Sequence, residues 1–363
     1  MKKKIFLLLG FLVIITLMTP SFSLFIPNLG LDVAEYRYKS SALTEINSVI
    51  TINDLPGSLT NWTWAKNQGY CTGEGTISDP YVIAEYFFNT STNADNCLNI
   101  LHSNKPFIIE DCLFKGHSNF AGVRLTNTTN GLLRRNELYQ YTGALFWIYN
   151  SSLNEISTNI ASEGSFYGIL IDGLMGLCHS NLIINNFVSY NIEAGIQLRG
   201  LSISNQIIGN TIQNNSEGID LWSLANNNTI HSNMIRNNTN YGIGIDSDYN
   251  IIHHNCFIDN ALHALDDGLD NNWDYNSRGN YWDNYTGSDN NGDGIGDAPH
   301  DITGLAGSTD NYPLMSCPLI TAPGGIPGYN LILLVITGTV MIIGMIYLSL
   351  RKTATLNSRK LSS

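Results

Sequence analysis

A block of about two dozen residues recurs through the middle of the chain, and it limits the fold more than any other feature. "GIQLRGLSISNQIIGNTIQNN" from Gly195, "GIDLWSLANNNTIHSNMIRNN" from Gly218 and "GIGIDSDYNIIHHNCFIDN" from Gly242 share one frame. Each reads Gly-Ile-x-Leu/Ile, then Asn-x-Ile-x-x-Asn-x-Ile/Phe, and weaker copies start at Gly122, Gly143 and Gly168. One asparagine column runs Asn136, Asn159, Asn186, Asn210, Asn233, Asn255, and a second runs Asn154, Asn181, Asn205, Asn228, Asn250. Short alternating aliphatic segments separated by Gly and Asn are strand chemistry, and no segment holds a 3.6-residue period. One such unit cannot bury its apolar side alone. Stacked units can, because each strand pairs with its equivalent ~4.8 Å above. The repeat predicts an all-β chain, a single-stranded right-handed parallel β-helix of about eight or nine coils. Asparagine tolerates left-handed backbone at the turns, and stacked amides can hydrogen-bond along the axis as ladders. The frame of a leucine-rich repeat is absent.

The ends predict export and tethering. Lys2, Lys3 and Lys4 precede an apolar run to Met18, and Ser21 and Ser23 suit a cleavage site. This is the pattern of a signal peptide over residues 1–23, with an uncleaved anchor as the alternative. Residues 331–350 are apolar and uncharged, long enough to span ~30 Å as a transmembrane helix. The basic tail, 351–363, is then cytoplasmic by the positive-inside bias, which makes this a single-pass cell-membrane protein with a large extracellular N-terminal domain. Eight Asn-x-Ser/Thr sequons, such as Asn61 and Asn284, gain meaning outside the cell, although an Asn-rich chain generates several by composition. An oxidising compartment permits disulfides among Cys71, Cys97, Cys112, Cys178, Cys256 and Cys317, but spacing does not reveal the pairing. A net charge of -12 argues against a nucleic-acid partner.

Between the ends, residues 24–70 do not repeat and suit an N-terminal cap covering the open strand edge. The repeats run over 71–285, a closing cap over 286–316, and a Pro/Gly linker over 317–330. "GTISDPYVI" (75–83), "NALHALDDGLDNNWDYNSRGNYWDNYTGSDNNGDGIGD" and "TDNYPLM" (309–315) resemble the entry and closing segments of the NosD-like β-helix family, often labelled periplasmic copper-binding. The resemblance spans roughly 75–315 and implies a β-helix of the archaeal surface-protein type, in a class that overlaps carbohydrate-binding and sugar-hydrolysing domains. The family label also implies copper. In the closing cap, Asp289, Asn291 and Asp293, with the Ile295 carbonyl and Asp297, have the spacing of a calcium loop, and Gly294 allows its sharp turn. The twelfth position is His300 rather than an acid, with Asp301 one residue late. A calcium ion there would be structural, holding Tyr281, Trp282 and Tyr285 against the last coil. The alternative is an ion-free Asp/Asn/Gly turn.

In each Gly-Ile-x-Leu-x segment the aliphatic residues face inward, so the second and fourth positions after Gly face out. The fourth column reads Thr126, Trp147, Asp172, Arg199, Trp222, Asp246. Trp147, Asp172, Arg199, Asp220, Trp222 and Asp246 together suit a glycan, with flat aromatic faces for sugar rings and charged groups for their edges. Trp147 and Trp222 are expected ~14 Å apart on this face. A glycan, or a neighbouring surface or envelope protein, is the expected partner. Asp220 and Asp246, expected ~8 Å apart, and Asp266 would be the catalytic carboxylates if the chain cleaves polysaccharide as a hydrolase or lyase. His231 and His253, on adjacent coils beside His254, are the residues for a copper-binding and delivery role.

Overall fold

The structure, a computed structural model, describes residues 43–90, 96–116, 121–141 and 143–319. The signal segment and the apolar run at 331–350 lie outside the described residues. Among the described residues no helix is long and apolar enough to cross a membrane.

Three parallel sheets of ten, nine and eight strands wind around one interior as a right-handed β-helix of about eight turns. We call them sheets A, B and C in that order. The chain visits them in rotation. Sheet B takes Ala194–Ile203, sheet C takes Gln206–Ile208, sheet A takes Thr211–Gln213, and the next coil re-enters sheet B at Glu217–Trp222. The register is the one the repeat predicts: Ile196 pairs with Ile219, and Ile219 with Ile243, all fully buried. Apolar columns of this kind account for most of the core.

The asparagine columns are ladders of buried amides. Asn186 donates from its backbone N–H and from Nδ2 to Oδ1 of Asn210, at 2.8 and 3.0 Å. Asn210 does the same to Asn233, and Asn233 to Asn255. The Nδ2 of Asn210 also donates to the carbonyls of Ile183 and Ile208, so both ends of the amide are satisfied. The second column behaves alike, from Asn154 to Asn271. A third ladder, Asn191–Asn215–Asn238–Asn260, was not recognised in the repeat.

The left-handed residue is the one before a ladder asparagine. Asn185, Asn214, Asn227 and Asn237 take it, as expected of asparagine at a turn, and so do Thr158, Tyr190, Ser232 and Tyr249 (φ 54, 58, 57 and 60°). The left-handed residue turns the corner, and the following amide then swings inward along the axis.

Both ends of the stack are closed. Residues 43–70 do more than cap. Thr44–Ile46 and Ile50–Asn53 join sheets A and B against Tyr86–Phe88 and Leu98–Leu101. The alternation Ile50, Ile52 supplies an inward face that the repeat frame does not reveal. The short helix Trp62–Asn67 then lays the Trp62 ring on Tyr81, 4.6 Å between centroids. At the other end Trp282 stacks between Phe257 and His300, at 4.4 and 4.5 Å. Asp310 ends the first ladder by accepting from Asn280 N–H and Trp282 Nε1. A disulfide between Cys256 and Cys317, 61 residues apart, ties the last coil to the start of the linker; closing a loop of that length is worth ~4 kcal/mol in the chain-entropy account.

Asn210→Ala leaves the two donors of Asn186 buried without an acceptor. It is expected to lower the unfolding free energy in urea by ~2–4 kcal/mol, whereas Asn240→Ala, on the surface, stays within ~0.5 kcal/mol.

Candidate functional site

Sheet B carries a groove of about 420 Å³ on its outer face, lined by residues of successive coils. Pairing of Gln197 with Asp220, and of Arg199 with Trp222, sets two outward columns side by side. Asp246 extends the second, its N–H bonded to the Leu221 carbonyl. Gly244 follows Asp220 in the first column. A side chain there would meet the Tyr241 ring, so the glycine lets that ring lie across the sheet. The Tyr241 hydroxyl thereby reaches Asp220 Oδ1 at 3.5 Å, while Gln197 Nε2 donates to the other oxygen at 2.6 Å. Trp222 is 46% exposed and walls the groove with a bare ring face.

The electrostatics are acidic. Burial pushes the Asp220 carboxyl up to about 6; the Gln197 hydrogen bond opposes this, and the Glu217 and Asp246 charges add to it. Burial, then the charges of Asp220 and Glu217, raise the Tyr241 hydroxyl as well. Tyr241 therefore stays a neutral donor at physiological pH.

Of the six residues expected to bind a ligand, the groove gathers Arg199, Asp220, Trp222 and Asp246. Trp147 and Asp172 are not in it. The coil at Gly143 has Leu145 where its neighbours have the frame glycine, so Phe146 pairs with Val123 and Trp147 with Arg124. Trp147 thus belongs to the second column, not the fourth. Its face is covered by the Arg124 guanidinium at 4.3 Å. Asp172 is 2% exposed, accepting from Trp147 Nε1 at 3.1 Å and pairing with Arg199 at 2.8 Å. The three form a polar chain beside the groove that orients Arg199. Asp266 also departs from expectation. It pairs with Ile245, points inward, and accepts from Trp273 Nε1 and Ser308 Oγ. It is a core acid that fastens the closing cap. The outward acid of that coil is Asp267, in the groove. Tyr167, Glu217 and Tyr241 were missed. Glu217 and Tyr241 pair in the column just before each Gly-Ile, which the repeat alignment would have exposed if read one position earlier.

The calcium-type loop closes on itself. Asp289 accepts from the N–H groups of Gly292, Asp293 and Gly294, Asp293 from that of Ile295, and Asp297 from Ser288 and Asn290. Asn291 Oδ1 accepts from Asp293 N–H, and Ile295 bridges to Leu314. Tyr285 is held by the Ala298 carbonyl at 2.6 Å. Among the described residues, no group of three or more His, Cys, Asp or Glu side chains is placed to hold a metal ion.

The family model described as periplasmic copper-binding protein (NosD) matches residues 46–207 and 173–287. The chain belongs to the NosD family. The histidines expected to take the copper of the family's description, His231 and His253, do not fit it. His231 and His253 stack at 5.0 Å with planes 10° apart. Imidazole lone pairs lie in the ring plane, so parallel stacked rings do not converge on one ion. Nδ1 of His253 is instead hydrogen-bonded to Nδ1 of His254 at 2.7 Å. Burial, then the neighbouring histidine charges, lower His253 to about 4, leaving it neutral. The free thiols are buried, and burial pushes Cys112 up to about 12.

No curated protein matches this NosD-family chain. Solved structures resemble it distantly. The A-module of mannuronan C-5 epimerase AlgE4 from Azotobacter vinelandii is 14% identical, covering 62% of this chain and 79% of that one, with a TM-score of 0.43. Pectate lyase Pel9A is 12% identical, with coverages of 67% and 76% and a TM-score of 0.43. The Dettilon tailspike protein is 13% identical, with coverages of 55% and 52% and a TM-score of 0.41. At these values the likeness carries no argument about activity.

Asp220 and Asp310, both raised to about 6 mainly by burial, bind protons in the folded state more tightly than in the unfolded chain. Their contribution to stability should therefore fall as pH rises from about 4 to about 6 and then level off, opposed over the same range by the histidines whose pKa burial lowers. Asp220→Asn removes one of the two contributions. Its urea midpoint is expected to exceed that of the parent above about pH 6, and the difference should vanish near pH 4.

Proposed function

We propose that this chain is an exported surface protein that binds glycans in the sheet B groove, held to the cell membrane by the apolar segment at 331–350. The observation that carries the reading is the exposed Trp222 ring standing beside Arg199, Asp220 and Asp246 in one groove. A flat apolar face with polar groups at its rim suits a sugar ring, whose C–H face stacks while its hydroxyls find partners at the edge. A rigid stack supports this use. Most of the lining side chains sit on strands, so little ordering is needed on binding.

A second reading has one observation in its favour. Burial raises the Asp220 carboxyl to about 6, so it keeps a proton into mildly acidic pH, as a general acid must, and Asp246 lies on the next coil to serve as base. In that reading Asp220 protonates the departing glycosidic oxygen while Asp246 takes a proton from the attacking water.

Glycan-array binding by the full chain tests the site. Trp222→Ala should cost at least about tenfold in affinity, and Tyr190→Ala, which removes an exposed ring outside the groove, should leave binding unchanged. Equal binding by Trp222→Ala and the parent would remove the groove as the site and leave an envelope protein as the expected partner. Release of new reducing ends that disappears in Asp220→Asn would convert binding into hydrolysis.

A further inference from the structure

We infer that the groove selects sugars bearing free amino groups over neutral and acidic ones; the inference rests on the glycan reading above. Five carboxyl side chains line the groove, those of Glu193, Glu217, Asp220, Asp246 and Asp267. The cation among the lining residues is Arg199, and its Nη2 is already bonded to Asp172. A second observation is independent of that charge. Gln197 is 7% exposed and lines the groove; its Nε2 is taken by Asp220, and its Oε1 is buried with no hydrogen-bond partner. A buried carbonyl oxygen of this kind is costly to leave unpaired. The groove thus sets five carboxyl groups and an unpaired amide oxygen against one guanidinium, and its remaining donors, such as the Tyr241 hydroxyl and Arg199 Nε, are few beside them.

Ligand chemistry follows from that inventory. A polyuronate brings more carboxylates, of the same sign and also acceptors. A neutral sugar brings hydroxyl donors but no compensating charge. A protonated amino sugar brings three N–H donors and a positive charge on the same ring that stacks on Trp222, and a cation beside an indole face gains further attraction. Hydrogen bonds from an ammonium to a carboxylate are the strong kind.

The test is titration calorimetry of the full chain in detergent at low salt, at about pH 6.5, where glucosamine amines are largely protonated and exposed carboxylates ionised. The probes are a glucosamine oligomer, its N-acetylated counterpart, an oligogalacturonate and a lysine oligomer. The glucosamine oligomer should bind about tenfold more tightly than the acetylated one. That margin should shrink with added salt and in Glu217→Gln and Asp246→Asn, whose unchanged circular dichroism would show that they fold. Trp222→Ala should weaken both sugars together. Equal affinity for the two glucosamine oligomers overturns the selection while the glycan site stands. Tightest binding of oligogalacturonate also overturns it. If none of the sugars binds, the glycan reading fails and the selection goes with it. A lysine oligomer that binds as tightly, indifferent to Trp222→Ala, would make the groove a site for basic peptides instead.

Discussion

The amide of one asparagine resting on the amide of the next holds the coils in register. Hydrophobic burial supplies most of the stability, but it is non-directional. A column of isoleucines would tolerate sliding by two residues with little loss. An amide ladder would not, because any slip strands buried donors and acceptors, and each unpaired group costs ~1–3 kcal/mol. Over the coils from Asn181 to Asn260, three ladders at three corners constrain each turn. The left-handed residue before each ladder position is the local cost, paid even by Thr158 and Tyr249.

Fixed register turns positions far apart in sequence into vertical neighbours on a rigid face. Gln197, Asp220 and Tyr241 come from successive coils, yet they meet in one hydrogen-bonded set. The same stacking on sheet C piles His231 on His253. There it yields parallel rings, because neighbouring strands repeat one orientation. A β-helix places equivalent side chains side by side; making them converge requires a departure from the repeat. Sheet B has such a departure at Gly244, where a missing side chain lets Tyr241 lean across to Asp220 on the preceding coil.

Much of this was legible in the chain. The interior columns through Ile196, Ile219 and Ile243, and two of the three ladders, follow from aligning the copies. Errors arose where a coil departs from the frame. Leu145 replaces the glycine that marks the others, so a frame anchored at Gly143 put Trp147 two residues out of place. Asp266 occupies an inward position that other coils give to Leu or Ile, and its partners Trp273 and Ser308 come from the closing cap. No local pattern announces such an exchange, because the cost of burying the carboxylate is offset by groups distant in sequence.

The sequence by itself determined the class of fold, the order of the coils and the outward columns wherever a copy keeps the frame, because a period of two dozen residues allows few arrangements that bury its apolar positions. The tertiary structure alone decided which outward residues are open. Trp222 is bare and Trp147 is covered by Arg124, although both read as outward aromatics. It also decided the Cys256–Cys317 pairing and the groove's excess of carboxyl groups over cations. These depend on side-chain contacts between coils and on the closing segment folding back over the last one, and periodicity specifies neither.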